Sequence, residues 1–132
     1  MRETEKTIPL QAEGETRTFR IRKLEAFSGA RLLKLLSDFQ GDAARSFTMA
    51  ELLFSLSEEE MERVMRCCLT HVWAELPAGP VRVLSRDGWG IPDLEYDAVT
   101  CLKLTLEVMA WSLNGFFPGS GQPSGEARPS SR

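Results

Sequence analysis

The sequence predicts an α+β fold: a mainly α-helical single domain with a small N-terminal antiparallel β-hairpin or sheet. Three observations carry that prediction. Residues 6–23 alternate apolar and polar side chains with a period of two around a glycine turn. Four later segments repeat apolar residues at helical spacing. Two capping boxes, Thr48 with Glu51 and Ser57 with Glu60, mark helix starts in the middle of the chain.

In the hairpin, Ile8, Leu10 and Ala12 on one strand and Phe19 and Ile21 on the next share a face, and Gly14 sits in the polar "EGE" turn. Pro9 cannot donate a ladder hydrogen bond, so the first strand is predicted at an edge. A helix over 28–39 follows, with Ser28 as N-cap, a stripe of Leu32, Leu33, Leu36 and Phe39, and Gly41 as its stop. The capping boxes open a short helix over 49–55 and a longer one over 58–74. Phe47 with Leu52 and Leu56 with Met61 are placed as hydrophobic staples. Glu58, Glu59 and Glu60 suit the positive end of the longer helix. The stretch "ELPAGPVRVLSRDGWGIPD" is punctuated by proline and glycine and predicts a loop with at most one strand, "VRVL", able to extend the hairpin.

The last helix, over 94–114, carries two apolar stripes. One is Val99, Leu102, Leu106, Met109 and Leu113, the other Cys101, Leu104, Val108 and Trp111. A helix apolar on both sides is either central or offers one face to a partner. Both readings stay open. Under the second, Leu104, Val108, Trp111, Phe116 and Phe117 form the candidate partner-binding set, with a second copy of the chain as one partner. The globular domain is placed at 1–117. Residues 118–132 form a polar tail without large apolar residues and are predicted to be disordered.

Composition narrows the function. The 132 residues suit one domain, and the 42% hydrophobic and 27% charged content is ordinary for a soluble protein. A net charge of −3 argues against a nucleic-acid partner, which would favour a basic face. No apolar run approaches the roughly 18 residues of a membrane span. The N-terminus has no apolar signal core. Three cysteines, an odd number, read as reduced thiols of a cytoplasmic protein.

The most reactive-looking stretch is "RCCLTHVW", Arg66 to Trp73. Cys67 and His71 stand at i and i+4, but a structural zinc site wants four ligands and the chain has no CxxC pair. Neighbouring cysteines on a helix point about 100° apart, which strains a disulfide. Cys68 therefore reads as a small core hydrophobe and His71 as a surface or boundary residue. One histidine, with no serine placed near it, gives no basis for a nucleophilic triad. No enzyme activity, metal or cofactor is expected. "GSGQPSG" follows a helix and lacks a phosphate-loop lysine, so it is a linker. Arg17, Arg20, Arg22 and Lys23 read as a solvated strand face, with groove reading by a β-ribbon as the sharper alternative. Trp89, between Gly88 and Gly90, reads as a loop anchor on the core.

The order of elements adds to this: "FRIRKLEAFSGARLLKLL" leaving the hairpin, a set of helices, a tryptophan loop, and a long helix ending "EVMAWSLNGFFPG". It resembles the small tail assembly chaperones of long-tailed bacteriophages and prophages over roughly residues 5–117. The resemblance implies a non-enzymatic cytoplasmic protein that coats the tape measure protein and recruits tail tube subunits. Two other classes remain: a small DNA-binding or anti-repressor regulator using the basic strand face, and an adaptor or chaperone of a secretion system.

Overall fold

In the computed structural model, which describes residues 4–12, 14–39 and 48–113, the N-terminal alternation forms a hairpin. Strand β1 (Glu5–Ala12) pairs antiparallel with β2 (Glu15–Arg22), in a register running from Glu5 opposite Arg22 to Ala12 opposite Glu15. The turn between them is tight, and Gly14 meets it with φ +84°, a left-handed conformation that only glycine adopts freely. Phe19 and Ile21 point inward and are fully buried, whereas Glu15, Thr16, Thr18 and Arg22 are exposed.

Helix α1 (Ala26–Phe39) begins before Ser28, so Ser28 is not the N-cap. It lies inside the first turn, buried, and its hydroxyl donates to the Glu25 carboxylate. Helices α2 (Met49–Phe54) and α3 (Glu58–Leu69) start at the two capping boxes, with both reciprocal hydrogen bonds made at 3.0–3.2 Å. Leu56 and Met61 pack half-buried against the core, as a staple would. Gly41 and Phe47 lie outside the described residues.

The predicted helix over 58–74 is corrected here. It ends at Leu69, and Val72–Leu76 form strand β3, paired antiparallel with β2. Thr70 and His71 terminate it: the Thr70 hydroxyl donates to the Cys67 carbonyl at 2.7 Å, and the His71 amide donates to the Cys68 carbonyl at 2.9 Å. Val72 and Ala74 then face the core while Trp73 and Glu75 face outward, the period of a strand.

The stretch read as a loop also holds more structure than predicted. Strand β4 (Gly79–Arg82) pairs with β3, and β5 (Leu84–Ser85) pairs with β6 (Gly88–Trp89) in a small second hairpin. "VRVL" is thus split between two strands at Val83, which is fully buried and donates its amide to the Val72 carbonyl at 2.9 Å. The main sheet has four strands in the order β1-β2-β3-β4. A four-stranded sheet, a two-stranded hairpin and four helices make the fold α+β, with more strand than a mainly helical domain with one small hairpin, because β3 stands where helix was predicted and the proline- and glycine-rich stretch adds β4 to β6.

Both margins of that sheet carry a proline. The Lys23 amide donates to the Thr4 carbonyl at 2.8 Å, so by antiparallel alternation the Pro9–Thr18 pair is one without ladder bonds. The Val83–Val72 bond fixes the same for Pro80 opposite Glu75. In both strands the proline nitrogen therefore faces outward, away from the partner strand.

The predicted helix over 94–114 is also shorter. Pro92–Tyr96 form a 3-10 turn, Asp97 caps, and α4 is Ala98–Ser112. Helix α4 contacts both hairpin strands as well as α2 and α3, and Cys101, Leu104, Val108, Met109 and Leu113 are buried on it. Its two buried threonines are satisfied locally: Thr105 donates to the Cys101 carbonyl at 2.8 Å and Thr100 to the Asp97 carboxylate at 2.8 Å. Among the described residues no helix is long and apolar enough to cross a membrane.

Candidate functional site

Helix α1 carries Leu32, Leu33, Leu35 and Leu36 in five positions. Leu32 and Leu36 are buried and pack against the core, while Leu35 faces a groove that separates α1 from α3. One end of the groove is fixed by four short links. The Leu24 amide donates to Ser112 Oγ at 2.9 Å, tying the start of α1 to the end of α4. Ser28 donates to Glu25, and Glu25 Oε1 lies 3.3 Å from His71 Nε2 just beyond α3. His71 Nδ1 in turn lies 2.8 Å from the Cys67 carbonyl.

The groove encloses about 370 Å³. Leu24, Leu32, Leu35, Val64 and Cys68 make its apolar surface. Arg31 and Lys34 stand on the α1 wall, Arg63 and Cys67 on the α3 wall. A second, smaller recess of about 260 Å³ lies on the other flank of α3, between Met61, Met65 and Leu69 and the β5–β6 residues Leu84 and Trp89. Trp89 is thus a half-buried anchor on the core that also lines this recess.

The reactive-looking residues fall around the first groove. Cys68 is buried and its thiol is pushed up by desolvation. Cys101 is buried too, donates to the Leu94 carbonyl at 3.2 Å, and is pushed up to about 11 by desolvation and then by the Asp97 charge. Cys67 is half-exposed. Among the described residues no three His, Cys, Asp or Glu side chains converge as metal ligands.

The basic strand face is largely neutralised. Arg20 pairs with Glu75 at 2.8 Å, Arg22 with Glu5 at 3.1 Å and Arg17 with Asp93 at 2.8 Å. Arg22 and Arg82 stack on Trp73 at 4.9 and 4.8 Å from the ring centre, and Lys23 stacks on Trp111. The side chains that would read a nucleic-acid groove are held by their neighbours.

The described members of the candidate partner-binding set are not brought together on the surface. Leu104 and Val108 are fully buried, because α4 lies between the hairpin and the other helices, whereas Val99 at its start is exposed and Leu102 and Leu106 are half-buried. Trp111 is half-buried beneath Lys6 and Lys23, at 5.0 and 5.2 Å. Phe116 and Phe117 lie outside the described residues. The groove residues Leu35, Arg31, Lys34 and Arg63 were missed by sequence reasoning. Their signal was the surplus of leucine on α1, two more than one buried stripe requires.

Two carboxylates at helix starts give the fold an acid sensitivity. Glu25 is held below the ordinary carboxylate range, first by the Ser28 hydroxyl and further by His71. Asp97 is held low by the Thr100 hydroxyl, then by the Thr100 amide. A carboxylate depressed in the folded state adds stability above its unfolded pKa and loses it as pH falls through the folded pKa. Thermal melts are therefore expected to drop as pH is lowered below about 4, and less steeply in an Asp97→Asn variant. A variant that falls as steeply as the parent would remove Asp97 from this account.

Comparison with known proteins gives one match. A family model described as phage tail assembly chaperone protein, TAC, matches residues 14–124. No curated protein and no solved structure matches the chain. The matched span runs from the first turn past the end of α4, and so takes in the sheet beyond β1, all four helices and both walls of the groove. The chain belongs to the phage tail assembly chaperone family.

Proposed function

We propose that this protein is a non-catalytic chaperone that binds the tape measure protein of a long-tailed phage in the cytoplasm of the host and recruits tail tube subunits to it. The observation that carries this reading is the open apolar groove between α1 and α3 in a chain of this family. A long helical client exposes apolar stripes before assembly, and a groove lined by leucine and valine offers such a stripe a dry surface. Trp111 with Phe116 and Phe117 forms a second proposed contact at the end of α4, where aromatic side chains adapt to varied partners. The paired state of Arg17, Arg20 and Arg22 speaks against the regulator that would use this face on DNA.

Co-expression with tape measure fragments tests the proposal. The fragments are expected to stay soluble and co-purify with the chaperone, and added tail tube subunits are expected to join the complex. Fragments that precipitate equally with and without the protein would overturn it. A Phe116→Ser, Phe117→Ser variant that folds and binds as the parent does would remove the aromatic end from the interface.

A further inference from the structure

The α1–α3 groove has charge of one sign on both walls. Arg31 and Lys34, one turn apart, stand on α1 and Arg63 faces them from α3, while among the described residues no aspartate or glutamate lines the space. This is notable in a chain with 19 acidic and 16 basic residues. Among the described residues these three cations form no ion pair, whereas Arg17, Arg20, Arg22 and Arg66 each hold a carboxylate at 2.8–3.1 Å. Arg31 donates to the Ser28 hydroxyl, at 3.3 Å.

A helix laid in a groove turns its i, i+3, i+4, i+7 stripe to the floor and brings the flanking positions to both rims. Carboxylates at those flanks would meet the cations here, and lysines or arginines would be repelled. We propose that the groove takes an amphipathic helix whose apolar stripe is flanked by aspartate or glutamate on both sides. This rests on the reading of the protein as a chaperone for a helical client, and it states the chemistry of the client segment.

Two other occupants fit less well. Among the described residues the groove has no aromatic ring on which a nucleobase would stack. A second copy could offer its acidic α3, with Glu58, Glu59, Glu60 and Glu62, but the apolar side of that helix, Val64, Cys68 and Leu69, is already buried in its own core.

Cys67 supplies a reporter. It is half-exposed on the groove wall, while Cys68 and Cys101 are buried, so alkylation of the folded protein reads this wall first. The experiment uses the full chain and two synthetic helical peptides with one shared leucine stripe, flanked by glutamate in one and lysine in the other. The glutamate peptide is expected to protect Cys67 and to bind about tenfold more tightly at low salt. The gap should narrow near about 0.5 M salt. Arg31, Lys34 and Arg63 are exposed, so the variant Arg31→Glu, Lys34→Glu, Arg63→Glu should fold and reverse the preference.

Equal binding of the two peptides, both protecting Cys67, would overturn the charge inference. If neither peptide protects Cys67 while a tape measure fragment still co-purifies, the groove assignment fails and the chaperone reading stands. If the glutamate peptide protects Cys67 but no tape measure fragment co-purifies, the groove chemistry holds and the chaperone reading fails. A single-stranded oligonucleotide that protects Cys67 as well as the glutamate peptide does would overturn the choice of a helix as occupant.

Discussion

Leu104→Ala is expected to lower stability by about 2–5 kcal/mol, with a melting temperature reduced by roughly 10–20 °C. Leu104 is fully buried on α4, which touches the hairpin strands on one hand and α2 and α3 on the other. The side chain lost would leave a cavity at the junction of sheet and helices, where neighbours held by their own elements cannot collapse into it. The result also separates the two sequence readings of this helix. On a partner-facing stripe, the same change would leave the melt nearly unchanged and weaken binding instead. A loss below about 1 kcal/mol, within the range of surface substitutions, would contradict the central placement of α4.

Gly90→Ala is expected to destabilise the protein by about 1–3 kcal/mol through overpacking. A Cβ at position 90 would fall 2.0 Å from the Arg82 carbonyl oxygen and 3.1 Å from Val81 Cγ1. The first of these is backbone of β4, which no side-chain rotation can move aside. The Gly90 amide also donates to the Val83 carbonyl at 2.9 Å, so the segment cannot simply step back without losing that bond. Thermal melts of the alanine variant check this. A melt equal to the parent's would mean that β4 and the β5–β6 hairpin yield at little cost.

The elements that were legible in the sequence are those set by local chemistry. The hairpin needs only alternation and a glycine, and the starts of α2 and α3 need only a hydroxyl and a glutamate three residues apart. Strand β3 was misread because Cys68 and Val72 stand four apart, a spacing that fits a continuing helix. What makes Val72–Leu76 a strand is its pairing with Phe19, Arg20 and Ile21, some 50 positions earlier, which no local pattern displays. The two stripes of α4 were legible, but the choice between core and interface depends on how many elements surround the helix. The groove was the least legible feature. Its walls come from α1 and α3, and the basic rim appears only once Arg31 and Lys34 are set opposite Arg63.

The outward-facing prolines at positions 9 and 80 bear on how copies of this protein coexist. An open strand edge is a template on which another chain can add, and repeated addition yields fibres. Here each margin of the sheet has one donor missing from its outer row, on β1 and on β4 alike. Strand-by-strand polymerisation is therefore discouraged from either end. In a member of a chaperone family, the fold thereby guards its own sheet against fibre growth.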